Sequence, residues 1–151
     1  MSVTLDASVW LSAISSGERD HAQCAALVAS LVEQQVPMHQ PGLFVIEVCA
    51  TIALRTRNRA LAMAAGDATL ASPFLVLYPL DHSLAAEAAE IAASCALRGG
   101  DAVYAATARH ASSTLLTLDA ELRERAAGVV AVRTPIEWLA NVGSDPYDGG
   151  T

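Results

Sequence analysis

The chain has 151 residues, 53% of them hydrophobic, which suits one domain of ordinary size with a real core; with aromatics at 5%, Ala, Val and Leu must fill it. All nine basic residues are Arg, which excludes a Walker A loop and a Schiff-base enzyme, since each needs a Lys. The net charge of −7 argues against a nucleic-acid surface built from net charge alone.

Residues 2–6 (SVTLD) predict a short strand ending in an Asp, and 8–14 a short helix. Residues 20–35 are amphipathic, with Cys24, Leu27, Val28, Leu31 and Val32 on one face at helical spacing. A second strand is expected over 36–40, bounded by Pro37 and Pro41, and then the most apolar helix, 43–57. Another helix follows over 59–71, weakened by Gly66. Residues 74–78 (FLVLY) read as a buried strand, and 82–98 as an Ala-rich helix with Glu87, Glu90, Ser94 and Arg98 on a solvent stripe. Gly99 and Gly100 predict a break before a helix over 101–111. A strand over 114–118 ends at Asp119, and a short helix follows over 120–127. The last strand is 129–133. Thr134-Pro135-Ile136-Glu137 is a capping-box signature opening a short final helix. Gly143 to Thr151 reads as a frayed, flexible tail, leaving one domain over 1–142.

Strands separated by helices imply an α/β fold, a parallel sheet with helices on both faces. Cys24, Cys49 and Cys95 are scattered and read as small hydrophobes. No apolar run approaches the ~18 residues of a membrane span, and no leader pattern is evident, so a cytoplasmic protein without a membrane partner is expected.

In such a fold ligands sit beyond the carboxyl ends of the strands. Asp6 and Asp119 occupy that place, and Asp101 stands at a helix start. Helix capping would explain Asp101 and Asp119 taken singly. Glu47 is harder to explain, because it is the one acid in an otherwise apolar helix, where a carboxylate is costly unless something pairs with it. Glu47, Thr51 and Arg55 fall at i, i+4 and i+8, a polar stripe on an otherwise buried helix, expected to line a cleft. Converging carboxylates repel one another, and a hard divalent cation with oxygen ligands, Mg²⁺ or Mn²⁺, relieves that repulsion. Arg55, Arg57 and Arg59 cluster after this helix, where Arg55 and Arg57 are candidate RNA-phosphate contacts. Trp10 and Trp138 are expected in the core or at a dimer contact, and His21 with Cys24 reads as packing.

The segments D-A-S at 6–8, PGLFVIEV at 41–48, G-D-A-V-Y-A-A-T-A at 100–108 and L-L-T-L-D at 115–119 together resemble the PIN-domain family, with the VapC-type toxins of toxin–antitoxin pairs nearest. The resemblance spans roughly residues 2–140. It implies a three-layer α/β/α sandwich around a mainly parallel sheet, and a Mg²⁺- or Mn²⁺-dependent endoribonuclease acting as the toxin of a type II pair. The family's acids map onto Asp6, Glu47, Asp101 and Asp119 as catalytic metal ligands, with Ser8 and Thr117 as supporting hydroxyls. RNA is then the substrate, a cognate antitoxin the partner, and a homodimer the expected assembly. The chain departs from the family after the last acid, where an aromatic is common and Ala120-Glu121-Leu122 stands instead. The competing expectations are a non-catalytic PIN-fold binding module and a PIN nuclease of RNA maturation. A receiver domain would need a Lys, and a haloacid-dehalogenase-like phosphatase a D-x-D where Ser8 stands.

Overall fold

The computed structural model describes residues 1–142; the tail expected over 143–151 lies outside them. The elements in chain order are β1 (Val3–Leu5), α1 (Ala7–Ile14), α2 (His21–Glu33), β2 (Met38–Pro41), α3 (Leu43–Thr56), α4 (Arg59–Leu70), β3 (Leu75–Tyr78), α5 (His82–Cys95), α6 (Gly99–His110), β4 (Thr114–Leu116), α7 (Ala120–Ala126), β5 (Val132–Arg133) and α8 (Pro135–Val142). The sheet runs β3-β2-β1-β4-β5, and every pairing is parallel. With helices on its faces, this is the expected α/β/α sandwich.

Local chemistry sets the helix starts. Asn58 accepts from Leu61 N–H at 3.0 Å and caps α4, and Asp81 accepts from Leu84 N–H at 2.9 Å and caps α5. The capping box is formed: Glu137 Oε2 accepts from Thr134 N–H at 2.7 Å, and Thr134 Oγ1 accepts from Glu137 N–H at 3.2 Å. Gly66 does not interrupt α4. A Cβ there would run into Cys49 Sγ, so the glycine lets α4 lie close against α3.

Val3, Leu5, Leu115 and Leu116 of the two central strands are fully buried, together with Phe44 and Tyr104 from the helices. Trp10 and Trp138 both join this core. The β1–β2 ladder registers only Val3 opposite Met38. Beyond it the buried Gln40 amide takes over, donating to Leu5 C=O at 2.9 Å and accepting from Leu5 N–H at 2.8 Å once oriented to match those groups. A side chain therefore satisfies the strand next to Asp6.

Four expectations change. β3 is an edge strand with Val76 and Leu77 each 40% exposed, because no strand covers its outer side. α3 is not buried all round: Ile46 and Leu54 face outward, and its buried residues are Phe44 and Val48. α5 stops at Cys95 because Ala96 turns left-handed at φ 53°, which takes Arg98 off the α5 stripe and makes it the residue before α6. Gly99 and Gly100 are the first residues of α6 and not a break before it.

Candidate metal centre

The four predicted acids reach one edge of the sheet from four elements. Asp6 follows β1 at the N-cap position of α1, yet its side chain makes no cap bond. It accepts instead from Ser8 Oγ at 2.6 Å and from Thr117 Oγ1 at 2.9 Å. Both bonds fall on Oδ2, so they orient the carboxylate without engaging its other oxygen. Thr117 is fully buried just past β4, so the adjacent strand supplies that support.

Glu47 projects from α3 and accepts from the Tyr104 hydroxyl at 2.5 Å. Burial pushes its carboxyl above the ordinary range; the Tyr104 bond pulls it back, and the charges of Asp6 and Asp101 raise it further. Burial and the bond to Glu47 push the Tyr104 phenol far up, so it remains a donor. The first turn of α6 stands beside this carboxylate: a Cβ on Gly100 would lie 3.5 Å from Glu47 Oε1.

Asp101 lies in that first turn, where the helix N-terminus favours negative charge. It does not cap the helix; it accepts from Arg98 Nε at 3.0 Å. Its carboxyl is also raised, first by burial, with Arg98 opposing and the charges of Asp6 and Asp119 adding. Asp119 does cap, since its Oδ1 accepts from the N–H groups of Glu121 and Leu122 at 2.8 and 3.1 Å. Its Oδ2 accepts from Arg98 Nη2 at 3.2 Å.

The acids thus form one electrostatic unit: Glu47 feels Asp6 and Asp101, and Asp101 feels Asp6 and Asp119. Among the described residues, though, no three His, Cys, Asp or Glu side chains converge as a ready-made metal cage. Each acid has instead taken another donor: hydroxyls for Asp6 and Glu47, and Arg98 for Asp101 and Asp119. The donor set is all oxygen, which fits a hard divalent ion, provided the carboxylates turn from their present partners.

Asp6, Ser8, Glu47, Thr51 and Arg55 line a cleft of about 470 Å³, so the polar stripe of α3 does face a cleft; Asp101 and Asp119 do not line it. Across the cleft Arg55 is ion-paired with Glu18, a contact between distant segments. Arg57 and Arg59 instead border a largely apolar groove of about 630 Å³ between α3 and α4. His21 bonds Ser12 C=O at 2.9 Å, and burial pushes the Cys24 thiol up to about 11, so this pair is packing.

Tyr104 and Arg98 join the site without being among the residues expected from the sequence. Tyr104 had a usable signal: it lies one turn after Asp101, as a lone aromatic in an Ala-rich helix. Arg98 had a weaker one, standing three residues before the same acid.

The model of the PIN domain matches residues 3–128. No curated protein matches the chain. Similar solved structures include FitAcB from Neisseria gonorrhoeae, 24% identical over 89% of this chain and 98% of that one, with a TM-score of 0.69. The sarcin–ricin-loop-cleaving toxin VapC20 of Mycobacterium tuberculosis is 24% identical over 87% of this chain and 99% of that one, TM-score 0.70. VapBC2 from Rickettsia felis, bound to a DNA fragment from its promoter, is 12% identical over 89% and 98%, TM-score 0.66. At these identities the likeness is one of fold.

Proposed function

The chain belongs to the PIN-domain family, a family of nucleases, and from that premise we propose that it is a divalent-metal-dependent endoribonuclease, the toxin of a toxin–antitoxin pair. The observation that carries the reading is Glu47, a carboxylate half-buried in an apolar helix and pressed by the charges of Asp6 and Asp101. A protein gains nothing in stability from that arrangement; a cation-binding site does.

Asp6, Glu47 and Asp101 are the main candidate ligands, with Asp119 completing the set. A Mg²⁺ or Mn²⁺ ion, when bound, supplies Lewis-acid polarisation of a phosphodiester and activation of a water. The chain's own residues do the positioning. Ser8 and Thr117 orient Asp6, and Tyr104 orients Glu47 and partly offsets the rise that burial imposes on its carboxyl. Arg55, at the cleft wall, can exchange Glu18 for an RNA phosphate. Because Arg57 borders the α3–α4 groove, its contact there is with a partner protein in preference to RNA.

That groove supports the antitoxin half of the proposal: apolar walls from Val45, Ile46, Ala53 and Met63 with an Arg rim suit an apolar segment flanked by acids. The exposed edge strand β3, with Leu80 beyond it, supports a homodimer. No helix among the described residues is long and apolar enough to cross a membrane.

The deciding experiment is RNA cleavage with Mg²⁺ or Mn²⁺, with EDTA and Asp101→Asn as controls. Loss of cleavage in both controls is expected; cleavage that survives both overturns the mechanism.

A further inference from the structure

We propose that Arg98 is an internal counter-ion of the acid site, occupying carboxylate oxygens of Asp101 and Asp119 that a divalent ion would take, and so competing with that ion. The inference rests on the metal-site reading above and concerns how that site is regulated.

One guanidinium spans two acids from separate elements. Nε reaches Asp101 Oδ2 at 3.0 Å in the first turn of α6, and Nη2 reaches Asp119 Oδ2 at 3.2 Å at the start of α7. The planar fork of Arg suits two carboxylates better than a Lys would, and this chain has no Lys to offer. On Asp119 the two oxygens divide their work. Oδ1 holds the cap of α7, so Oδ2 remains for a cation, and Arg98 has it.

Arg98 is also built to leave. Its side chain is 74% exposed. It stands at the N-cap position of α6 but makes no side-chain cap bond, so the helix does not depend on where the guanidinium rests. The charged groups facing it are Asp101, Asp119 and Glu121, all acids. While Arg98 stays, it offsets the repulsion among these acids and makes their edge of the site less attractive to a cation. Once a divalent ion arrives, the guanidinium moves into solvent at little structural cost. The consequence is an apparent cation affinity lowered in proportion to how often the guanidinium occupies these acids.

The test is titration of the full chain with MnCl₂ by calorimetry, comparing wild type, Arg98→Gln and Arg109→Gln. Arg98→Gln is expected to bind Mn²⁺ about threefold to tenfold more tightly, and Arg109→Gln, which removes an Arg bridging two acids outside the site, to stay within about twofold of wild type. In EDTA the thermal midpoint of Arg98→Gln falls below wild type, while the Mn²⁺-saturated midpoints agree. Binding by Arg98→Gln where wild type shows none also supports competition. Equal or weaker binding by Arg98→Gln overturns the proposal, as does equal tightening by Arg109→Gln, which would make the effect one of general charge. If neither wild type nor Arg98→Gln binds Mn²⁺, the metal-site reading itself fails and this inference goes with it.

Discussion

Asp6 and Glu47 are restrained by hydroxyls, whereas Asp101 and Asp119 share a guanidinium. The difference is one of charge. A neutral donor orients a carboxylate and leaves its full charge for a ligand, while a cation orients it and cancels much of that charge. The hydroxyl-held pair lines the cleft and the guanidinium-held pair does not. Under the proposed function, the two pairs, as halves of one site, would differ in readiness for a cation: the first holds its charge unpaired, and the second would first have to release its Arg.

The largest effects should come from removing a charge in either half. Asp6→Asn and Asp101→Asn are each expected to lower RNA cleavage by about a thousandfold or more, since each withdraws a candidate ligand from a step that needs charge stabilisation. Asn retains an oxygen acceptor for Ser8, Thr117 or Arg98, so the thermal midpoint should change little. Cleavage that persists in Asp101→Asn alone would place the reactive centre wholly in the hydroxyl-held half.

Tyr104→Phe and Thr117→Val test the supports and leave the acids in place. Each is expected to cost about ten- to a hundredfold in cleavage or Mn²⁺ affinity, the usual effect of losing a partner that orients a ligand. In Tyr104→Phe the acid limb of the pH–rate profile should also move to higher pH, because the Tyr104 bond is what lowers the Glu47 carboxyl. A profile that stays in place would mean the bond does not govern the ionisation of Glu47.

How much of this was legible in advance follows the range of the interactions. The parallel α/β order, the capping box at Thr134 and the cleft-facing stripe through Glu47, Thr51 and Arg55 depend on local pattern, and each can be read along a few turns of chain. The edge position of β3 depends on strand order, which no local pattern encodes, so its apolar run looked like that of a buried strand. The same limit hid the supports. Tyr104 meets Glu47 from 57 residues away and Arg98 meets Asp119 from 21 away, so spacing to Asp101 marks both residues but does not show which further acid each one holds.

Asp119 has two roles that a single pair of variants can separate. Asp119→Ala removes the cap of α7 and should cost about 1 kcal/mol of stability, whereas Asn caps nearly as well as Asp and should cost little. Both variants lose the charge that Arg98 meets. Equal loss of cleavage with unequal loss of stability would assign the acid to the site; loss of cleavage in Asp119→Ala alone would make it only a cap.

The smallest effect lies in the pH dependence of stability, and it compares the halves directly. Glu47 and Asp101 both have carboxyls raised above their ordinary values, chiefly by burial. Between the unfolded and folded values the native state binds more protons than the unfolded chain, so stability falls as pH rises through the folded value. Their contribution is therefore fully present below the ordinary carboxylate range and is lost on going up toward neutrality. Other acids titrate too, and Glu137, lowered mainly by its backbone bond at Thr134, works in the opposite sense. The quantity to measure is accordingly the difference in unfolding free energy between wild type and Glu47→Gln in EDTA, followed from acid to neutral pH. It should turn against wild type as pH rises and flatten when Mn²⁺ is saturating, because the ion takes over the role of the protons. For Asp101→Asn the slope should be shallower, since Arg98 already meets part of that charge. Equal slopes for the two variants would mean that hydroxyl and guanidinium restrain these acids to the same electrostatic effect, and the distinction between the two halves would be geometric only.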